Sequence, residues 1–184
     1  MIGKTHRIRI VFFLALAVSL IFGRQAPAAG VNAIDDEALA ALRSLYASTP
    51  AARSLGREAA AILIFPKIVK AGFILGAQYG EGVLIRHGRI VGHYNITAAS
   101  YGLQAGVQSF AYAMFFMSRA AMRSLRDRGG LEIGAGPSVV LVDQGMARTL
   151  TSTTLREDVY AFVFGQRGLM AGVGLQGSKI TRIR

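Results

Sequence analysis

Glycine recurs every few residues between short apolar or alternating runs throughout the chain beyond Lys67. This spacing is typical of antiparallel strands rather than of helices that alternate with strands. Hairpin turns are predicted at His87-Gly88 and at Gln166-Arg167-Gly168, because glycine adopts positive φ at no steric cost. The predicted strands cover residues 70–79, 82–87, 90–97, 102–108, 110–116, 131–142, 158–164 and 169–176.

A first helix is predicted before the strands, over residues 34–46, where apolar residues recur at helical spacing. Three acids, Asp35, Asp36 and Glu37, fall in its predicted first turn, where the helix dipole favours negative charge. This segment is therefore predicted to be an amphipathic helix.

Two further helices are predicted from capping signals. Thr49-Pro50 resembles a cap followed by proline at the first helical position, and the helix that it opens should end near Phe65-Pro66. Ser118 can cap a short helix that runs to about Arg126, and the glycine pair at 129–130 should end it.

Several predicted strands, such as 139–142 and 159–164, are apolar on both faces, so other elements must cover the outside of the sheet. The predicted helices are the available cover. The sequence thus predicts an α+β fold, with N-terminal helices packed on a strongly bent or closed antiparallel β-sheet and one short helix inserted near residue 120.

The N-terminus has the three parts of a secretory signal in order. Basic residues precede a run over 10–22 that is apolar except for Ser19, and Ala26-Pro27-Ala28 supplies the small-x-small cleavage pattern. A retained membrane anchor is the alternative, but the run is shorter than the roughly 20 residues that a spanning helix needs. We expect a signal peptide over 1–28, a single domain over 29–184, and a periplasmic or secreted product.

Composition excludes several kinds of chemistry. The chain has no cysteine, which removes disulfides, thiolate metal sites and cysteine nucleophiles. Its two histidines beyond the signal, His87 and His93, have no nearby acid cluster to complete a metal or triad site. The G-x-G-x-x-G pattern over 172–177 lacks the helix and the acid that a dinucleotide site requires after it. We therefore expect neither an enzyme nor a bound cofactor or metal.

Basic charge is the remaining functional signal, since 21 Lys and Arg stand against 10 Asp and Glu. One interpretation is a set of solvated faces. The other is contact with anionic phospholipid, to which each basic residue near the surface contributes roughly 1 kcal/mol. Nucleic acid is not expected as a partner of an exported protein. The candidate lipid-binding residues are Arg53, Arg57, Lys67, Lys70, Arg119, Arg123 and Arg126.

A set of short motifs occurs in order along most of the predicted domain. They are Ile62-Leu63-Ile64-Phe65-Pro66-Lys67, Lys70-Ala71-Gly72-Phe73, Gln78-Tyr79-Gly80-Glu81-Gly82, Tyr94-Asn95, Ala99-Ser100-Tyr101-Gly102, Gly134-Ala135-Gly136-Pro137, Gly168-Leu169-Met170-Ala171-Gly172 and Gly177-Ser178. Over about residues 38–183 the chain resembles the SYLF domain family, whose bacterial members are exported and whose eukaryotic members include yeast actin-patch regulators.

The resemblance implies a lipid-binding module without enzymatic activity. In the eukaryotic members of the family, this module recognises phosphoinositides through a basic surface and an N-terminal amphipathic helix. The acids that open the first helix here would be repelled by an anionic surface, which moves the expected contact to Arg53, Arg57, Lys67 and Lys70.

The sequence thus favours peripheral binding of anionic phospholipid at the cell envelope, with protein partners unassigned. The first alternative is a structural or protein-interaction module of the periplasm with no lipid ligand. The second is an integral outer-membrane protein, whose spanning strands should alternate apolar and polar residues. Several strands here are apolar throughout, which argues against that second alternative.

Overall fold

The computed structural model describes residues 31–126, 130–134, 137–143, 157–168 and 177–184. The predicted signal peptide and the predicted strand over 169–176 lie outside this part of the chain. Residues 32–184 form one compact unit. Its described elements are α1 (Val31–Ser48), α2 (Pro50–Glu58), β1 (Ala61–Arg86), β2 (Arg89–Phe116), α3 (Arg119–Arg123) with a 3₁₀ turn (Ser124–Arg126), β3 (Leu131–Glu132), β4 (Val139–Leu141), β5 (Val159–Gly168) and β6 (Lys179–Arg182).

Two long strands, β1 and β2, form an antiparallel hairpin that organises the sheet. Its turn is at His87 and Gly88, which have φ of 49° and 73°, as the type I′ geometry of a tight hairpin requires. The turn predicted at this position is confirmed. The separate strands predicted on each side of it are continuous, because bulges absorb the irregular positions instead of ending the strands.

The hairpin bends in its middle, and the bend divides the sheet into two arms. Arm one contains β1 residues 61–71 and β2 residues 107–116, with β5 and then β4 added beside β2. Arm two contains β1 residues 75–86 and β2 residues 89–101, with β6 and then β3 added beside β2. The described strands therefore form one six-stranded sheet that curls on itself.

Glycines allow β1 to pack against its own earlier residues on the inner face of the curl. A Cβ at Gly82 would overlap the backbone carbonyl oxygen of Ile64, and one at Gly80 would lie 2.8 Å from Cγ1 of Ile68. The inner face holds the first core cluster, which includes Phe65 and Tyr94. Only a residue without a side chain permits so close an approach of two backbones.

The outer face is covered by α1 and α2 over part of its length. Ala38, Leu42 and Leu45 of α1 are buried with Ala52 and Leu55 of α2, in a second core cluster against the sheet. The three positions on α1 follow the helical spacing predicted from the sequence. The predicted α+β fold is confirmed, with the N-terminal helices on the outside of a strongly bent sheet.

Several predicted helix ends are wrong. Helix α1 begins at Val31 rather than near residue 34, so the three acids lie beyond its first turn. Helix α2 has Pro50 at its start, as predicted, but it ends at Glu58 instead of near Phe65-Pro66. The residues that follow become strand because side chains 62–65 alternate between the two core clusters, which a helix would not allow.

Later predictions have mixed outcomes. Ser118 caps α3, since its Oγ accepts a hydrogen bond from the backbone N–H of Ala121 at 3.0 Å. The segment predicted as one strand over 131–142 contains two short strands, β3 and β4. The hairpin turn predicted at 166–168 is wrong, because Arg167 and Gly168 pair with Ser109 and Gln108 within β5.

Candidate functional site

Two of the predicted site residues, Arg53 and Arg57, lie exposed on α2. The Nη2 atom of Arg53 donates to the backbone carbonyl of Tyr46 at 3.0 Å, close to the end of α1. The Nη2 atom of Arg57 donates to Oγ of Ser54 at 3.2 Å. Both charges face solvent with neutral partners, so neither is neutralised by a carboxylate in these contacts.

The two predicted lysines on β1 lie on opposite faces of the sheet. Lys67 is exposed at the bulge between Phe65 and Ile68. Lys70 is only 7% exposed and shares the inner face with Ile68, two residues before it. Exposure was expected for both, and that expectation is wrong for Lys70. Alternation places residues three apart on opposite faces, and the bulge after Phe65 shifts its phase so that Ile68 and Lys70 face inward.

The remaining predicted cations lie on a different part of the molecule. Arg119 and Arg123 are exposed on α3, while Ala121 and Met122 of the same helix pack into the inner core. Arg126 is the last residue of the 3₁₀ turn that follows. Helices α1 and α2 pack into the outer core instead. The seven predicted residues therefore do not form one surface.

The strand register brings two further cations to the outer face, one on each arm. In arm one, Val69 pairs with Ser109, which pairs with Arg167, so these three residues form a row across the sheet. Arg167 is exposed. It was predicted as a turn residue and was missed as a site residue, because cross-strand pairing is not readable from spacing along the chain.

The corresponding row in arm two ends in a lysine. Tyr79 pairs with Thr97, and Thr97 pairs with the exposed Lys179. The neighbouring pair of Ile96 and Ile180 lies in the inner core, which places Lys179 on the outer face. We use the name outer basic set for Lys67, Arg167 and Lys179.

A groove of about 510 Å³ lies between α1 and arm one, and it includes two members of the outer basic set. Lys67 and Arg167 line it from the sheet, together with Ser109, whose partner on β5 is Arg167. Small residues of α1 form the opposite wall, which also carries Glu37. Two cations and one acid make this groove net positive, a suitable environment for an anionic group.

Large apolar side chains are exposed beside these cations, beyond the area that α1 and α2 cover. Leu75 is 71% exposed and Val107 62%, and Val69 and Tyr79 are also exposed. We call these four residues the outer apolar set. Single exposed apolar residues are common on soluble proteins, whereas a group on one face indicates an interaction surface.

Tyr79 is also hydrogen bonded to an acid at the end of this set. Its Oη donates to Oε1 of Glu81 at 2.6 Å. Desolvation, followed by this hydrogen bond and the negative charge of Glu81, raises the pKa of Tyr79 to about 12. The phenol is therefore neutral at physiological pH, and the Glu81 carboxylate is partly satisfied within the protein.

The structure joins one histidine to an acid far away in the sequence. Nε2 of His93 lies 2.8 Å from Oδ1 of Asp35, which connects α1 to β2. The sequence showed no acid near either histidine, so this contact was missed. Within the described ranges, no three His, Cys, Asp or Glu side chains are grouped so that they could hold a metal ion.

We predict that this contact supports the fold. His93→Asn shortens the side chain and removes the bond to Asp35, so it should lower the free energy of unfolding by about 1 kcal/mol. The matched change His87→Asn alters an exposed turn residue whose positive φ asparagine tolerates. Urea unfolding measures the free energy of unfolding of the two variants. Equal stabilities of the two variants would contradict the structural role of His93.

The described residues include no helix long and apolar enough to cross a membrane. Helices cover part of one face of the bent sheet, and the rest of that face exposes cations and apolar residues. This arrangement defines a small α+β binding or interaction module. The comparisons with known proteins agree with that class.

Residues 97–183 match the family model Ysc84, described as Las17-binding protein actin regulator. This match agrees with the resemblance to the SYLF family recognised in the sequence motifs, which is confirmed over these residues. The match runs from the arm-two part of β2 to the end of β6, so Arg167 and Lys179 lie inside it and Lys67 precedes it. A search of curated proteins gave no match.

Proposed function

We propose that this protein binds anionic phospholipid as a peripheral, non-enzymatic module of the bacterial cell envelope. The observation that carries the proposal is the outer face, where Lys67, Arg167 and Lys179 are exposed beside a group of exposed apolar residues. Cations and apolar side chains on one face match the two layers of a membrane surface, the charged headgroups and the acyl boundary.

Electrostatic attraction supplies the selectivity for acidic headgroups. Each Lys or Arg near an anionic membrane contributes about 1 kcal/mol, and the attraction falls off within a Debye length. The groove that holds Lys67 and Arg167 offers a place for one phosphate, since both cations and the Ser109 hydroxyl line it. Lys70 is left out of the proposal because it is buried on the other face.

The proposed location is the periplasm or the exterior, reached by export and cleavage after Ala28. It rests on the basic, apolar and small-residue segments at the N-terminus. The anionic surfaces of this compartment include membrane leaflets, which fits a module that binds them from outside the cytoplasm.

The test is co-sedimentation of the processed protein with vesicles of phosphatidylglycerol and phosphatidylcholine. The triple variant K67Q/R167Q/K179Q should lose affinity on the order of a hundredfold, because three contributions of about 1 kcal/mol are removed. Binding of the unmutated protein should weaken as salt is raised, and vesicles of phosphatidylcholine alone should bind poorly.

A charge-matched control uses exposed arginines away from the outer face, R89Q/R119Q/R123Q. It removes the same net charge and should retain most of the affinity. The change Lys70→Met should leave binding unchanged, because this side chain is on the inner face. Equal losses in both triple variants would reject a site in favour of net charge, and no sedimentation of the unmutated protein at low salt would reject lipid binding.

A protein-interaction module is the second candidate function. One structural observation favours it, a groove of about 900 Å³ between the α1–α2 junction and β5, lined by Leu45, Val142 and Phe162 among others. The matched family is described by its binding to a protein, Las17. If vesicle binding is absent, this groove becomes the site to test.

A further inference from the structure

We propose that the bend of the hairpin inserts the outer apolar set, led by Leu75 and Val107, into the acyl region of the membrane. This inference rests on the proposed lipid binding and adds where the protein enters the bilayer. It commits to one occupant of the exposed apolar face, an anionic phospholipid leaflet.

The bend exposes these side chains because its inner side is occupied by glycine. A Cβ at Gly72 would lie 2.5 Å from Cα of Gly76, so the two backbones nearly touch on the inside of the bend. A strand that folds toward its inner face is convex on its outer face. Leu75, between these glycines, lies on that outer face and is 71% exposed, the largest value among the exposed apolar residues.

Neighbouring positions extend the apolar surface along both arms. Val69 lies on the arm-one side of the bend, and its outer-face neighbour Ala71 pairs with Val107. Tyr79 lies on the arm-two side. Helices α1 and α2 pack on the outer face toward the far ends of the arms, where residues such as Ile64 and Val83 are buried. The apolar surface is thus centred on the bend.

The cations beside the apolar surface identify an anionic leaflet as its occupant. One cation flanks the apolar surface on each arm, since Arg167 follows Val69 across the sheet and Lys179 follows Tyr79. Arg167 and Lys179 can reach anionic headgroups on both sides while the apolar surface between them is buried in the membrane. This arrangement fits a flat anionic leaflet. The acid Glu81, beyond Tyr79 in arm two, is hydrogen bonded to the Tyr79 phenol.

The experiment uses the absence of tryptophan from the chain. Leu75→Trp places a single tryptophan at the most exposed of the large apolar positions, and its side chain has room because it faces solvent. The vesicles contain phosphatidylglycerol and phosphatidylcholine, and a second batch carries brominated acyl chains. On binding, the emission should shift to the blue, and the brominated chains should quench most of it.

The matched control is Leu141→Trp, which labels an exposed apolar residue on β4, distant along the sheet from the bend. Its emission should change little on binding. Each of the variants Leu75→Ser and Val107→Ser should weaken vesicle binding on the order of tenfold, because an apolar side chain no longer leaves water. Both positions are exposed, so these variants should fold normally.

The results separate this inference from the proposed function. Sedimentation with anionic vesicles without quenching at residue 75 overturns the insertion and leaves lipid binding in place. Equal quenching at residues 75 and 141 also overturns it, because the contact would not be centred on the bend. Absence of sedimentation overturns the proposed function and this inference together.

Discussion

Gly82→Ala is expected to lower the free energy of unfolding by about 3 kcal/mol, the upper part of the range for overpacking a core. The added methyl group would overlap the carbonyl oxygen of Ile64 and a ring atom of Phe65. Because the closest atom belongs to the backbone, a change of rotamer cannot relieve the overlap. The crossing of β1 over its own earlier residues would have to open.

Urea unfolding followed by circular dichroism measures this loss. The control Gly88→Asn alters a glycine that has open space around it and φ of 73°, which asparagine also adopts in tight hairpin turns. Gly88→Asn should lower the free energy of unfolding much less than Gly82→Ala does. If Gly82→Ala is as stable as the unmutated protein, the close approach of Gly82 and Ile64 is incorrect.

Phe115→Ala should lower the free energy of unfolding by about 4 kcal/mol, within the range measured for truncation of a buried phenylalanine. The Phe115 side chain is fully buried between the sheet and the helices. Its ring meets that of Phe162 edge to face at a centroid distance of 5.4 Å, and that of Tyr46 at 6.4 Å. The truncation therefore leaves a cavity and removes the ring contact of α1 with Phe115.

The same unfolding measurement applies, with Leu141→Ala as the control, because that side chain is 47% exposed. The control should change the free energy of unfolding by less than about 0.5 kcal/mol. A loss at Phe115 no larger than that of the control would show that α1 and α2 do not form a packed cover.

Local signals predicted the helices, the α+β class and the central turn. The turn was readable because His87-Gly88 stands between two apolar runs and needs positive φ. The bends were not readable in this way. Glycines such as Gly80 and Gly82 resemble strand ends in the sequence, yet they lie inside β1, where their missing side chains allow the strand to pass over itself.

The site was predicted less completely than the fold. Lys67 was identified by its charge, and its exposure agrees with that role. Lys70 was expected to be exposed, but the bulge after Phe65 shifts the alternation so that Lys70 follows Ile68 on the inner face. Arg167 and Lys179 reach the outer face through pairing with β2, over distances in sequence that spacing rules do not cover.

The nested pairing of β1 and β2 has a consequence for how the chain folds. Pairs next to the turn, such as Arg86 with Arg89, close the shortest loops, and Ala61 with Phe116 closes the longest. Because closing a longer loop costs more chain entropy, pairing that begins at the turn and proceeds outward meets only a small extra cost at each step. A slip of one residue would turn the inner glycines outward and force side chains into the crossing, so the same glycines select the correct register.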